Sequence, residues 1–284
     1  MNKCRTARAR ASLAVAALPL AFLATGARGQ GFMSEAMIPP GQERFEIELG
    51  GIVNRFDSHV RLDGQNGRGS DINLENNDLD KNLSSFVGAF TWRFLPNHRL
   101  DAMYYGAKRS GSRTYQTDID IGDQDFPVGA TVSLKSKTEI FDVNYRWSFW
   151  RTPELEAAAL FGLYGGTFKY DFNAVGTEGT NPRTYNKSVS TTVPLPVLGA
   201  SIDWYPDPRW KVSAAAAGIK ASIGDVDGHA LVASLSGEYM FWRSLGLGAR
   251  YTYTDIKADV TKSDFNGTLG VKLNGVMLYA KMVF

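Results

Sequence analysis

From about residue 43 onward, apolar and polar side chains take turns along the chain. The clearest run is Phe141-Asp-Val-Asn-Tyr-Arg-Trp-Ser-Phe149, with Phe141, Val143, Tyr145, Trp147 and Phe149 in one set and Asp142, Asn144, Arg146 and Ser148 in the other. A period of two puts successive side chains on opposite faces of a strand. The same alternation runs through Phe45-Glu-Ile-Glu-Leu49, Phe86-Val-Gly-Ala-Phe-Thr-Trp-Arg-Phe94 and Leu247-Gly-Ala-Arg-Tyr-Thr-Tyr253. The final segment sets Val276, Leu278, Ala280, Met282 and Phe284 against Met277, Tyr279 and Lys281. The pattern predicts ten strands near residues 44–62, 84–95, 98–117, 131–150, 154–172, 188–205, 209–222, 230–243, 246–260 and 268–284.

A soluble sandwich would alternate in the same way, so the environment must come from other features. These segments exceed the usual strand length and are long enough to cross a bilayer at a tilt. All six tryptophans (Trp92, Trp147, Trp150, Trp204, Trp210 and Trp242) stand beside short turns, as an interfacial girdle would. The connections at the opposite end, residues 61–85, 117–130 and 172–187, read as longer polar loops. Lipid offers the backbone no hydrogen bonds, so a sheet in that setting has to close on itself. The predicted fold class is all-β: a transmembrane antiparallel up-and-down β-barrel of about ten strands. An even strand number puts both termini on the short-turn side.

The N-terminal residues follow another rule. Lys3, Arg5, Arg8 and Arg10 precede the apolar run Leu13–Ala24, and small residues follow it, the layout of a secretory signal peptide. Residues 1–29 are assigned to that signal, 30–42 to a short periplasmic segment and 43–284 to the barrel. Cys4, the one cysteine of the 284 residues, lies inside the leader, so the processed chain has no disulfide or thiolate chemistry. The leader carries five cations and no acid, so its removal takes the formal charge from +2 to −3. No basic surplus remains to support nucleic-acid binding. No apolar run is long enough for a membrane-spanning helix.

The signal, the alternating strands and the terminal Phe284 behind every-second apolar residues resemble Gram-negative outer-membrane β-barrels. More narrowly, Asp71-Ile-Asn-Leu-Glu75, Arg99-Leu-Asp-Ala-Met-Tyr-Tyr105 and Ser110-Gly-Ser-Arg-Thr114 resemble a family of uncharacterised proteobacterial ten-stranded barrels. Where that family has Asp-Asp-Leu after its Leu-Glu pair, this chain has Asn76-Asn77-Asp78-Leu79. The resemblance implies a cell outer-membrane location and contact with membrane lipid and lipopolysaccharide. It also implies recognition of the strand ending in Phe284 by the barrel-insertion machinery.

Candidate chemistry lies on the inward face and in the loops. Glu46, Glu48, Arg93, Asp101, Asp142, Arg146, Glu156, Asp203, Lys211, Glu238, Arg250 and Lys281 are predicted to point inward. They read either as a charged pore lining or as an ion-paired network that fills the lumen. Ten strands lie near the size at which side chains fill a barrel, which suits the second reading. Asp71-x-Asn-x-Glu75 looks like the start of a calcium loop but lacks the expected glycine and glutamate, having Asn76 and Asn82 there. Asp118-Ile-Asp120 and Asp227-Gly-His229 are similar to the paired acids and Asp–His pair of omptins, ten-stranded outer-membrane proteases. Asp225-Val-Asp-Gly-His229 also reads as a tight turn centred on Asp-Gly. His59 and His98 have no companion at ligand spacing. No catalytic, cofactor-binding or metal-binding residue is assigned. The expected function is a non-enzymatic barrel with a narrow or plugged lumen, serving envelope integrity or surface interaction through its loops. The alternatives are a small porin-like channel and an omptin-like surface protease.

Overall fold

The computed structural model describes residues 38–39, 41–63, 71–73, 82–114, 119–121, 124–126, 129–178, 181–224, 226–262 and 265–284. Its strands are β1 (Phe45–Leu62), β2 (Asp71–Asn73), β3 (Asn82–Leu95), β4 (His98–Thr114), β5 (Ile119–Ile121), β6 (Gln124–Phe126), β7 (Thr131–Arg151), β8 (Leu155–Glu178), β9 (Asn181–Asp207), β10 (Trp210–Ile223), β11 (Val226–Trp242), β12 (Leu245–Lys262) and β13 (Phe265–Val283). Ten of them follow one another round an antiparallel ring that closes where β13 pairs with β1. Phe284 pins the seam: its amide donates to the Phe45 carbonyl at 2.9 Å, and its own carbonyl accepts from the Arg44 amide at 2.8 Å.

The ten predicted strands are all present, and three boundaries change. Most of the predicted loop 172–187 is strand: β8 and β9 run on as a paired hairpin as far as Glu178 and Asn181. The turn before β11 falls at Gly224 (φ 59°), with Ile223 pairing Val226, so Asp227-Gly228 lies in the strand and makes no turn. The second long connection carries a small hairpin of its own, β5–β6. The calcium-like run falls on β2 and residues outside the described set. The signal segment also lies outside it.

On every barrel strand, about five outward side chains nearest the short turns are apolar. On β13 these are Val276, Leu278, Ala280, Met282 and Phe284; on β1, Phe45, Ile47, Leu49, Gly51 and Val53. Eight residues at ~3.3 Å, tilted by roughly 40°, give about 20 Å of height, close to the apolar band of a membrane barrel. The six tryptophans ring its lower edge on the outside, between 38% and 59% exposed.

Above this band the strands continue and the polarity of the two faces reverses. Outward positions become Arg55 and Asp57 on β1, Lys169 and Asp171 on β8, and Lys272 on β13. Inward positions become Phe56 and Val60, Phe168, Tyr170 and Phe172, and Leu269, Val271 and Leu273, all buried. They form one contiguous apolar cluster with Leu134, Ile140, Val193, Leu195 and Ile256. The physical reason is the change of solvent. Where lipid surrounds the wall, the lumen takes the polar side chains; where water surrounds it, the apolar side chains turn inward and pack. The barrel therefore has two storeys, a lower one that is polar inside and an upper one that is apolar inside.

Candidate functional site

All twelve charges predicted to face inward do so, and they gather in the lower storey. Two networks hold eleven of them, Lys211 joining through Glu46 at 3.9 Å, and Asp142 stands apart from both. In the first, the Arg93 guanidinium donates to both oxygens of Glu156, each at 3.0 Å, and Ser148 donates to the same carboxylate. Arg99 bridges onward, 2.7 Å from Asp203 and 3.9 Å from Glu156. Arg146 pairs with Asp101 and donates to Ser201. In the second, Lys281 lies 2.5 Å from Glu46 and 2.6 Å from Glu238, while Arg250 lies 2.9 Å from Glu48. Buried charges of this kind need such partners, because an unmatched one carries several kcal/mol of desolvation cost.

One contact shows how the backbone makes room. Tyr279 on β13 reaches across β12 to donate to Glu238 on β11 at 2.8 Å. It passes directly over Gly248, where a Cβ would come within 2.3 Å of the tyrosine ring. Glycine is needed there because no side chain fits beneath the ring.

The space left between the networks is a cavity of about 120 Å³, bordered by Glu48, Asp101, Asp142, Asp203, Lys211 and Arg250. That volume suits a few waters held by charged walls. Asp142 accepts from Asn144 at 2.7 Å beside it. Over this cavity sits the apolar storey, and beneath it Ile38, Gly41 and Glu43 lie at the lower mouth. Gly41 is buried there at φ 76°, a backbone shape that glycine adopts without strain. Arg151 donates to the Gly41 carbonyl and, at 2.5 Å, to that of Pro96. Glu43 lies at the same mouth with Lys211, Glu238 and Lys281. Burial, and then the neighbouring Glu46, raise its carboxyl above the ordinary value.

Arg99, Glu43 and Arg109 belong to the interior although they stand outside the predicted set. Arg99 sits two residues from Asp101 on one strand, so alternation alone places it inward. Arg109 is a cation of the upper storey, 4.0 Å over the Phe56 ring and donating to Ser58 at 3.0 Å. Nothing in the local pattern signals it, since its immediate inward neighbours are apolar.

The loop pairs fare differently. His229 lies on the outer wall, between the inward Gly228 and Ala230, 3.9 Å from Asp255. Asp227 is exposed on the same outer side, so this pair does not project into the mouth. Asp118 and the side chain of Asp120 lie outside the described residues. His98 stacks against Phe94 and Tyr145 in the girdle. Among the described residues no cluster of three or more histidine, cysteine, aspartate or glutamate side chains could hold a metal ion.

No protein-family model matches the chain, and no curated protein does. Among solved structures, the barrel is similar to the outer membrane protease OmpT of Escherichia coli, with a TM-score of 0.57 and 7% identity over 89% of this chain and 100% of that one. The fold is that of an outer-membrane β-barrel. Looser likenesses are Ail of Yersinia pestis (TM-score 0.30, 13% identity, 84% and 99% covered) and the translocator domain of the autotransporter NalP of Neisseria meningitidis (0.35, 11%, 84% and 88%).

Proposed function

We propose that the protein is a sealed outer-membrane barrel that acts through its outer surface and extracellular hairpins, serving envelope integrity or surface interaction without catalysis. In this reading it is exported by its signal peptide and inserted through the strand that ends at Phe284. The observation that carries the proposal is the filled lumen. A packed apolar storey lies over an ion-paired one, and Ile38, Gly41 and Glu43 lie at the lower mouth. A hydrated ion gains nothing by entering a dry apolar core, so a solute path through it is energetically closed.

Planar-bilayer recording tests this. The sealed barrel gives no conductance steps of defined size; reproducible unitary steps would instead establish the porin-like alternative. The surface-protease alternative draws on the OmpT-like fold, but fold alone does not carry a function. It also has to accommodate a His229 that faces outward. The folded protein is expected to leave a basic peptide intact; cleavage abolished by Asp120→Asn would support the protease reading instead.

A further inference from the structure

Just above the lipid-facing band, Lys108 on β4 stands directly opposite Lys137 on β7, and Lys137 directly opposite Lys169 on β8. All three point outward, since Ala107, Arg109, Ser136, Thr138, Phe168 and Tyr170 alternate inward and are buried. Like charges directly opposite across strands destabilise a sheet. Here two such pairs are fused into one row of three. Glu139 lies 3.0 Å from Lys137 and also feels the charge of Lys169, so a single acid faces the row of three cations. Among the described residues Lys108 and Lys169 enter no ion pair. On the outer wall of β11–β13 an acid stands among the bases: Asp255 lies 3.5 Å from Lys272 and 3.9 Å from the His229 ring, and Lys257 faces the imidazole of His229 rather than a second lysine.

The height of the row indicates its partner. Two residues nearer the membrane, the outward positions are Gly106, Glu139 and Thr167. Four residues nearer, they are Tyr104, Phe141 and Gly165, at the top of the apolar band. Four residues of tilted strand put the lysines about 10 Å above that edge, within reach of the headgroup layer for a long flexible side chain. Strands lie ~4.8 Å apart, so the row spans about 10 Å, more than a single phosphate covers.

We propose that Lys108, Lys137 and Lys169 form a docking row for a lipid headgroup bearing more than one phosphate, in the leaflet around the protruding storey. The anion supplies the counter-charge that the sheet lacks, and the lipid in turn fixes the barrel's depth and tilt. The inference rests on the outer-membrane reading above and deepens it.

The test uses the full processed chain, refolded in neutral detergent, with folding checked by the heat-dependent gel shift of an intact barrel. The probes are diphosphorylated lipid A, monophosphorylated lipid A and phosphatidylglycerol, each followed by native mass spectrometry and by the thermal midpoint. The row predicts a retained diphosphorylated adduct, weaker adducts for the other two, and loss of affinity with added salt. A Lys108→Gln, Lys137→Gln, Lys169→Gln variant should bind at least about tenfold more weakly, each surface lysine being worth roughly a few-fold or more. A Lys220→Gln, Lys257→Gln, Lys272→Gln variant, which removes as many outward lysines from β10, β12 and β13, should bind as the original chain does. Equal binding by the row variant, equal loss in both variants, or no preference for the second phosphate would overturn the proposal. A chain that fails to refold as a barrel would count against the outer-membrane reading itself, so the two failures are told apart.

Discussion

Gly248 matters because Tyr279 lies across it. A Gly248→Val substitution forces the ring off the glycine and breaks its bond to Glu238, leaving that carboxylate with Lys281 alone. The expected cost is about 1–3 kcal/mol in a urea refolding titration into lipid vesicles. Gly237→Ala is the control, because a Cβ there meets nothing within 4 Å, and it should be neutral. Glu43 carries the opposite sign. Its carboxyl is raised by burial and by Glu46, so the folded state holds its proton more tightly than the unfolded chain. That contribution is fully present below the ordinary value of 4.5 and is lost as pH rises through the raised one. Glu43→Gln should therefore melt with the original chain at low pH and above it near neutrality, by a margin that grows between the two. A margin that shrinks with rising pH would reverse the assignment. At this scale the sequence was readable wherever alternation continued, and the inward charges followed from it. Arg109 did not follow, since only the folded ring around it shows a cation among apolar neighbours.

Each strand changes phase where it leaves the lipid. On β8, Phe161 and Leu163 are outward and apolar; past the glycines, Phe168, Tyr170 and Phe172 are apolar and inward, with Lys169 and Asp171 between them. The switch is written in the residues, as odd-numbered apolar positions giving way to even-numbered ones. The polar outward residues beyond it resemble a loop when read for composition, which is why 172–187 is predicted as one and is found as a hairpin. Water outside and a packed interior can keep that segment in strand form as well as lipid can. The packing has a measurable consequence. Phe168, fully buried, should cost about 3–5 kcal/mol when cut to alanine. Phe161, 46% exposed on the lipid side of the same strand, should cost distinctly less in the same titration.

At the scale of the whole molecule, ten strands were legible because alternation and turn residues recur at every crossing. The seal was only half legible. The charged storey could be foreseen from inward acids and bases, but the apolar one required knowing how far the barrel stands above the membrane. In the proposed sealed barrel the two storeys fill the interior, and the surfaces left for contact are the outer wall and the hairpins. Inside and outside reverse along each strand where it leaves the lipid, and β9 offers a direct measurement of that reversal. Leu198 and Thr184 share the outward face, the first inside the apolar band and the second in the upper storey. Arginine at each should be compared by refolding titration into lipid vesicles. The expected cost is about 2–4 kcal/mol for Leu198→Arg and close to none for Thr184→Arg. Equal costs at the two positions, or the larger one at Thr184, would contradict the reversal of inside and outside.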